Sequence, residues 1–162
     1  MALAWMAGRW TFQRTVFEKS AKTASGLPAF DRRTRIEGCA DVSRLALNDL
    51  HYREYGHQPS GIPFSKAYRF CFEADADGLI TVYHADEAAP ASRFHRLKFT
   101  WITARDQTEA VVAEAEHLCA ADWYVSLYEV SVDRMFIRHT VSGPRKDYRI
   151  KTIYERPTRT SA

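Results

Sequence analysis

Between Trp10 and Val16 the chain alternates strictly: Trp10, Phe12, Arg14 and Val16 fall on one side and Thr11, Gln13 and Thr15 on the other, the period-two pattern of a half-buried strand. The apolar residues before it, ending at Gly8, predict a short helical turn. Ser, Gly and Pro in residues 20–28 predict a loop, followed by an extended run over about 33–44 in which Gly38 marks a bulge or bend. Strands are expected at 47–55, 66–74 and 79–84, separated by residues 56–63 and by an Asp75-Ala76-Asp77-Gly78 turn that reads as a hairpin connection. In the second of these, Tyr68, Phe70 and Phe72 share the face opposite Arg69, Cys71 and Glu73. Residues 93–103 continue as one strand, with His95, Leu97, Phe99 and Trp101 on one face. Residues 108–121 mix Ala and Glu, which favour helix, with Val111, Val112 and a following Trp123-Tyr124, which favour extended chain; a strand over about 113–118 is expected. Strands at 122–131, 134–141 and 146–156 close the pattern, joined by Val132-Asp133 and by Ser142-Gly143-Pro144-Arg145.

Consecutive strands with short joins form a meander, and nine or ten of them leave two unpaired edges unless the sheet closes on itself. The expectation is an all-β fold, an antiparallel meander barrel. No repeat, low-complexity tract or linker divides the chain, so one domain over 1–162 is expected, with 157–162 as a frayed polar tail.

Composition narrows the function classes. An aromatic share of 13%, spread along the chain, suits many strands. The formal net charge of +3 arises from interleaved acids and bases, without a long run of one sign, so no nucleic-acid partner is expected. The apolar N-terminal segment is too short to span a bilayer and lacks the basic start of a secretory signal, so no membrane partner is expected either. Cys39, Cys71 and Cys119 are odd in number and widely spaced, which suggests neither a disulfide framework nor a zinc cage. A reducing cytoplasm is the expected location, and no cofactor or metal is called for.

Gly8-Arg9-Trp10 opens the first strand and Arg156 ends the last, on the face of Tyr148, Ile150, Thr152 and Tyr154. This arrangement resembles the calycins, the group of lipocalins and fatty-acid-binding proteins. The resemblance implies a barrel whose base is plugged by Trp10, with Arg156 packed across it and Gly8 beside it as structural residues; cation–π attraction gives that contact its physical sense. Gly8-Arg9-Trp10 with Arg14, the run from His51 to Gly56, Phe94-His95, His117-Leu118-Cys119 with Asp122 and Tyr124, and the run from Val141 to Tyr148 together resemble an uncharacterised calycin-like family, domain of unknown function 6314. That resemblance implies a fold and carries no activity. The Ala-rich stretch 85–91 stands where a tighter turn is expected.

Arg14 shares a face with apolar residues, and a guanidinium turned into a barrel needs a counter-charge. It meets either an anionic ligand or an internal carboxylate such as Glu54 or Asp122. His95, His117, Asp122 and Tyr124 are expected to meet inside the barrel, where they would bind a ligand or do acid–base work. Tyr52 and Tyr68 offer hydroxyls to the cavity or to neighbouring core groups. Arg145 and Lys146 either form a solvated turn or attract an anion at the rim. His117 and Cys119 share a strand face, but two donors make no metal site. The expected function is binding of a partly apolar, anionic small molecule such as a fatty or aromatic acid. The alternatives are an enzyme using the interior His, Asp and Tyr groups on such a molecule, and a haem-binding barrel.

Overall fold

The computed structural model describes residues 2–18, 32–73, 79–85, 92–103, 108–144 and 146–157. The expected loop at 20–28, the 75–78 turn, most of the 85–91 stretch, Arg145 and the tail beyond Pro157 lie outside these residues.

A helical turn, α1 (Ala2–Met6), precedes eleven strands: β1 (Gly8–Glu18), β2 (Arg32–Ala46), β3 (Asp49–His57), β4 (Pro63–Glu73), β5 (Leu79–His84), β6 (Arg93–Lys98), β7 (Thr100–Thr103), β8 (Glu109–Cys119), β9 (Asp122–Val130), β10 (Arg134–Ser142) and β11 (Asp147–Glu155). All belong to one antiparallel sheet in the order β6-β5-β4-β3-β2-β1-β11-β10-β9-β8-β7. The pairing of β1 with β11 joins the two ends of the chain, and the sheet curls into a nearly closed meander barrel.

The strand count exceeds the expected nine or ten because residues 93–103 do not form one strand. The chain breaks pairing at Phe99: above it, β6 pairs with β5, and below it, β7 pairs with β8. This exchange of partners closes the wall. Beside β8 the upper arm, β6, has no hydrogen-bonded ladder among the described residues, so a seam runs there. Trp101, expected on the inward face, is 48% exposed and meets Trp5 edge-on at 5.1 Å.

Two further departures are local. The irregularity expected at Gly38 lies instead between Arg44 and Ala46, where the β2 ladder slips by one residue. Gly38 keeps register opposite Phe12 and Gly56, and a side chain there would overlap the Tyr55 carbonyl and the Phe12 ring. The glycine therefore serves close approach of two strands, not a bulge. A second slip, between Val82 and Tyr83, turns Phe94 inward together with His95.

The core follows the pleat. On β9 the inward residues are Tyr124, Ser126, Tyr128 and Val130, and on β10 Met135, Ile137, His139 and Val141, each pair facing across the ladder. The lower end is apolar: Met6, Trp10, Leu97, Val130 and Met135 have no exposed surface, and truncating a side chain such as Trp10 there costs roughly 3–5 kcal/mol. α1 closes this end, its Met6 carbonyl accepting the Trp10 indole N–H at 2.8 Å. The Arg156 guanidinium lies 3.7 Å from the Trp10 ring centroid and donates to the Trp5 carbonyl at 2.6 Å and the Ala7 carbonyl at 2.9 Å. Gly8, with φ of +119°, sits directly against that guanidinium, a backbone conformation that suits glycine.

Candidate functional site

Above the apolar floor the interior turns polar. Arg14 of β1 reaches across β2 to Glu54 of β3, Nη1 donating to Oε1 at 2.8 Å and Nη2 to Oε2 at 2.6 Å. Nε donates to the Thr152 hydroxyl at 3.0 Å, and Nη2 also lies 3.5 Å from the Tyr154 oxygen. The Tyr52 hydroxyl donates to Glu54 at 2.7 Å and stands 2.8 Å from the Tyr154 hydroxyl. Because Tyr52 uses its proton on the carboxylate, Tyr154 donates to Tyr52. The Glu54 side chain is 2% exposed and that of Arg14 12%, so both charges are removed from water and held by each other. Burial is the strongest single influence on the Arg14 pKa and acts to lower it, yet the Glu54 hydrogen bonds together with the electrostatic attraction of Tyr154, Glu54 and Tyr52 outweigh it and raise the group above its ordinary value. Burial likewise acts to raise Glu54, and Arg14, with Tyr52, outweighs it to hold the carboxyl below its ordinary range. Of the two carboxylates weighed for Arg14 in the sequence, Glu54 is the partner. Asp122 lies elsewhere.

Higher in the barrel stands a ring of aromatic and imidazole groups around Phe94. Its centroid is 4.1 Å from His95, 4.9 Å from His84, 5.8 Å from His117, 5.9 Å from Tyr68 and 6.1 Å from His139. His95 Nε2 is 2.9 Å from the Tyr128 hydroxyl, and His139 Nδ1 is 2.8 Å from Ser126 Oγ. Burial, followed by the neighbouring His139, His117 and His84, pushes His95 down to about 3. Burial, followed by the charges of Arg14 and Lys66, pushes His139 down to about 4. Both imidazoles are neutral at physiological pH.

These groups enclose a chamber of about 60 Å³. Arg14, Glu54, Tyr52 and Tyr154 form its polar lower wall, Tyr128 and His139 another side, and Phe70, Phe94, Ile137 and Ile150 supply apolar surface. Lys66, the ladder partner of Glu54, and Tyr68 complete the lining. A larger groove of about 740 Å³ lies on the outer wall around Gly38 and Gly56. It is open to solvent, and the buried, shifted groups lie on the inner side of the sheet, so the chamber is the stronger candidate.

The other residues singled out in the sequence divide between chamber and rim. His117 and Tyr124 face each other across the β8–β9 ladder, near the top. Asp122 forms an ion pair with Lys146 at 3.0 Å, and Lys146 donates to the Tyr124 hydroxyl at 3.0 Å. This rim cluster does not meet His95, which lies deeper against Tyr128. Arg145 is outside the described residues. Glu54, named in the sequence as an internal partner for Arg14, forms part of the chamber wall; Tyr128, His139 and Tyr154 line the chamber too, with Ser126 bonded to His139, and the sequence singles out none of these four for the site. The alternation of β9, β10 and β11 carries their signal, since each stands on the inward face of its strand. Among the described residues no set of three or more His, Cys, Asp and Glu side chains could hold a metal ion, and no helix is long and apolar enough to cross a membrane.

A search of curated proteins returns no match. Among solved structures, the crystal structure of Rv2717c from M. tuberculosis is similar at a TM-score of 0.60 and 12% identity, over 96% of this chain and 94% of that one; the likeness is one of fold. A de novo designed fluorescence-activating β-barrel is similar at a TM-score of 0.42 and 12% identity, over 96% of each chain. At the level of sequence the match spans residues 6–156, from Met6 at the end of α1 to the Trp10-stacking Arg156, and by it the chain belongs to the family of unknown function DUF6314.

Proposed function

We propose that this barrel is a binding protein for a compact, partly apolar small molecule with an anionic group, held in the inner chamber. The observation that carries the reading is the charge of the chamber wall. Arg14 and Lys66 are cationic, Glu54 is anionic, and His139 is neutral, so the lining has one positive charge more than negative. Arg14 is neutralised by Glu54 at bonding distance, which passes the role of counter-charge to Lys66. The apolar part of the ligand rests among Phe70, Ile137, Ile150 and Phe94.

Size restricts the ligand. The chamber's 60 Å³ is below the roughly 150 Å³ that admits benzene and far below the roughly 300–1,000 Å³ of drug-sized pockets. A haem or an extended fatty acid does not fit this form. Displacing the Phe94 ring, which lines the chamber and contacts groups of the upper interior, enlarges it by about one aromatic ring, which suits a short or aromatic monocarboxylate. The Arg156–Trp10 stack supports placing the barrel with the calycins. The free thiols of Cys39, Cys71 and Cys119 support a reducing location such as the cytoplasm.

Calorimetric titration with benzoate and short aliphatic carboxylates tests the reading. At about 0.5–0.9 kcal/mol per heavy atom, benzoate binds with a Kd between roughly 1 mM and 1 µM. Lys66→Met weakens it, and Ile150→Trp, which fills the chamber, abolishes it with the fold retained. Absence of heat and of any melting shift for every carboxylate, in folded wild-type protein, refutes the proposal.

A further inference from the structure

The proton positions in the chamber wall follow from which buried groups have partners. Ser126 is 1% exposed, and His139 Nδ1 at 2.8 Å is the hydrogen-bond partner of its hydroxyl among the described residues. If Nδ1 carried the proton, the serine O–H would be buried without an acceptor. Ser126 therefore donates to Nδ1, and the neutral His139 ring, which lines the chamber, carries its proton on Nε2, the nitrogen on the edge away from Ser126.

The same reasoning applies to His95, which is 4% exposed. Its Nδ1 is buried and lacks a hydrogen-bond partner among the described residues. A proton there would be an orphaned buried donor, which is rarer in proteins than an acceptor left short of partners. The proton therefore sits on Nε2 and is donated to the Tyr128 oxygen at 2.9 Å. Tyr128 then has its own O–H to direct at the chamber it lines.

The acceptors on the opposite wall are already engaged. Both Glu54 oxygens receive Arg14, and Oε2 also receives Tyr52. Tyr154 donates to Tyr52. Of the five guanidinium hydrogens, one on Nη1 remains. What converges on the chamber is a set of donors: Tyr128 O–H, His139 Nε2–H and the remaining Arg14 N–H, with Lys66 at its edge.

We infer that Tyr128 and His139 form a carboxylate-receiving pair, neutral donors that take the oxygens of the ligand's head group, with Ser126 and His95 as positioning residues that set the direction of each proton. The ligand class is a compact monocarboxylate, selected over amides and alcohols of the same shape. An amide turns N–H groups toward donors, and an alcohol supplies one oxygen where the pair offers two hydrogens. The inference rests on the proposal that the chamber holds an anionic ligand.

Two measurements test it. Nitrogen-15 chemical shifts of the imidazole rings in the unliganded protein at pH 7 report the tautomers directly: His139 and His95 are both expected with the proton on Nε2, and an Nδ1–H tautomer at His139 overturns the inference without any ligand. Calorimetry then compares benzoate, benzamide and benzyl alcohol on wild type, Tyr128→Phe and His139→Gln. Benzoate is expected to bind at least roughly tenfold more tightly than the two neutral probes. Tyr128→Phe loses roughly 10- to 100-fold for benzoate alone, the effect of one hydrogen bond to a charged group, and His139→Gln, which keeps a donor near Nε2, loses less. Equal affinity for the three probes, or benzoate affinity unchanged in Tyr128→Phe, overturns this pairing while leaving the binding proposal in place. Failure of all three probes to bind counts against the binding proposal itself. Should Tyr128→Phe not fold, the tautomers of the wild-type rings still decide.

Discussion

Replacing Glu54 by Gln preserves shape and removes one charge, leaving Arg14 buried without its counter-ion. Breaking a buried ion pair from one side costs roughly 3–5 kcal/mol. Gln can still accept one Arg14 hydrogen bond through its carbonyl, and the Arg14 side chain keeps 12% of its surface exposed, so the expected loss is about 2–4 kcal/mol. For a chain of this size that is a fall in Tm of roughly 5–15 °C. The double replacement Arg14→Met, Glu54→Leu removes both charges and fills the space with apolar atoms, and it should lie within about 1 kcal/mol of wild type. Urea unfolding followed by circular dichroism measures Glu54→Gln and the four corners of the cycle, namely wild type, Arg14→Met, Glu54→Leu and the double variant, with m required to stay constant. Acid sharpens the test. Arg14 holds the folded-state carboxyl of Glu54 below its unfolded-state value, so this stabilisation is complete above the ordinary carboxylate range near pH 4 and is lost as pH falls through the folded-state pKa. The gap between wild type and Glu54→Gln should therefore narrow below about pH 4. A single-variant loss under about 0.5 kcal/mol, or single losses that simply add in the double variant, would falsify the account of this pair.

Four other outcomes are expected. His95 and His139, pushed down to about 3 and about 4, bind protons more readily when unfolded; stability is full above about pH 6.5 and falls with pH by up to about 1.4 kcal/mol per unit for each ring. Urea midpoints from pH 7.5 to 4.5 check this, with His139→Gln giving a shallower slope, and a flat profile contradicts it. Phe94→Ala destabilises by about 2–4 kcal/mol and opens a space that binds benzene, detectable by chemical-shift changes at Tyr128 and Ile137. Arg156→Met removes the stack on Trp10 and leaves the Trp5 and Ala7 carbonyls unpaired, costing about 2–3 kcal/mol by urea unfolding. Ala120 stands at φ 54° in the β8–β9 turn, so Ala120→Gly raises stability by roughly 0.5–1 kcal/mol; a loss on the same measurement would show that the turn is not strained.

What the sequence discloses and what it conceals divide along a physical line. Strand identity is local, and alternation discloses it: Trp10, Phe12, Arg14 and Val16 turn inward as their period requires. Partnership is not local. Arg14 lies opposite Ile36 and Thr152 in the ladders, and its path to Glu54 crosses β2 between Ile36 and Ala40, the ladder partner of Glu54, where Gly38 and Ala40 are small and leave the intervening strand low. Phe99 conceals its break for a related reason. The alternation of residues 93–103 continues through it, and only the positions of β5 and β8 compel the chain to change partners there. Phe94 is hidden more deeply, since it belongs to the outward set by parity and a slip in the β5–β6 ladder turns it inward. His139 is the opposite case: Met135, Ile137 and Val141 flank it on a recognisable inward face, but a lone histidine among apolar residues reads as a packed core group until Ser126 is known to be its partner. The direction of a single proton on that ring depends on the β9–β10 register, and whether the chamber meets a ligand with donors or with acceptors follows from that direction.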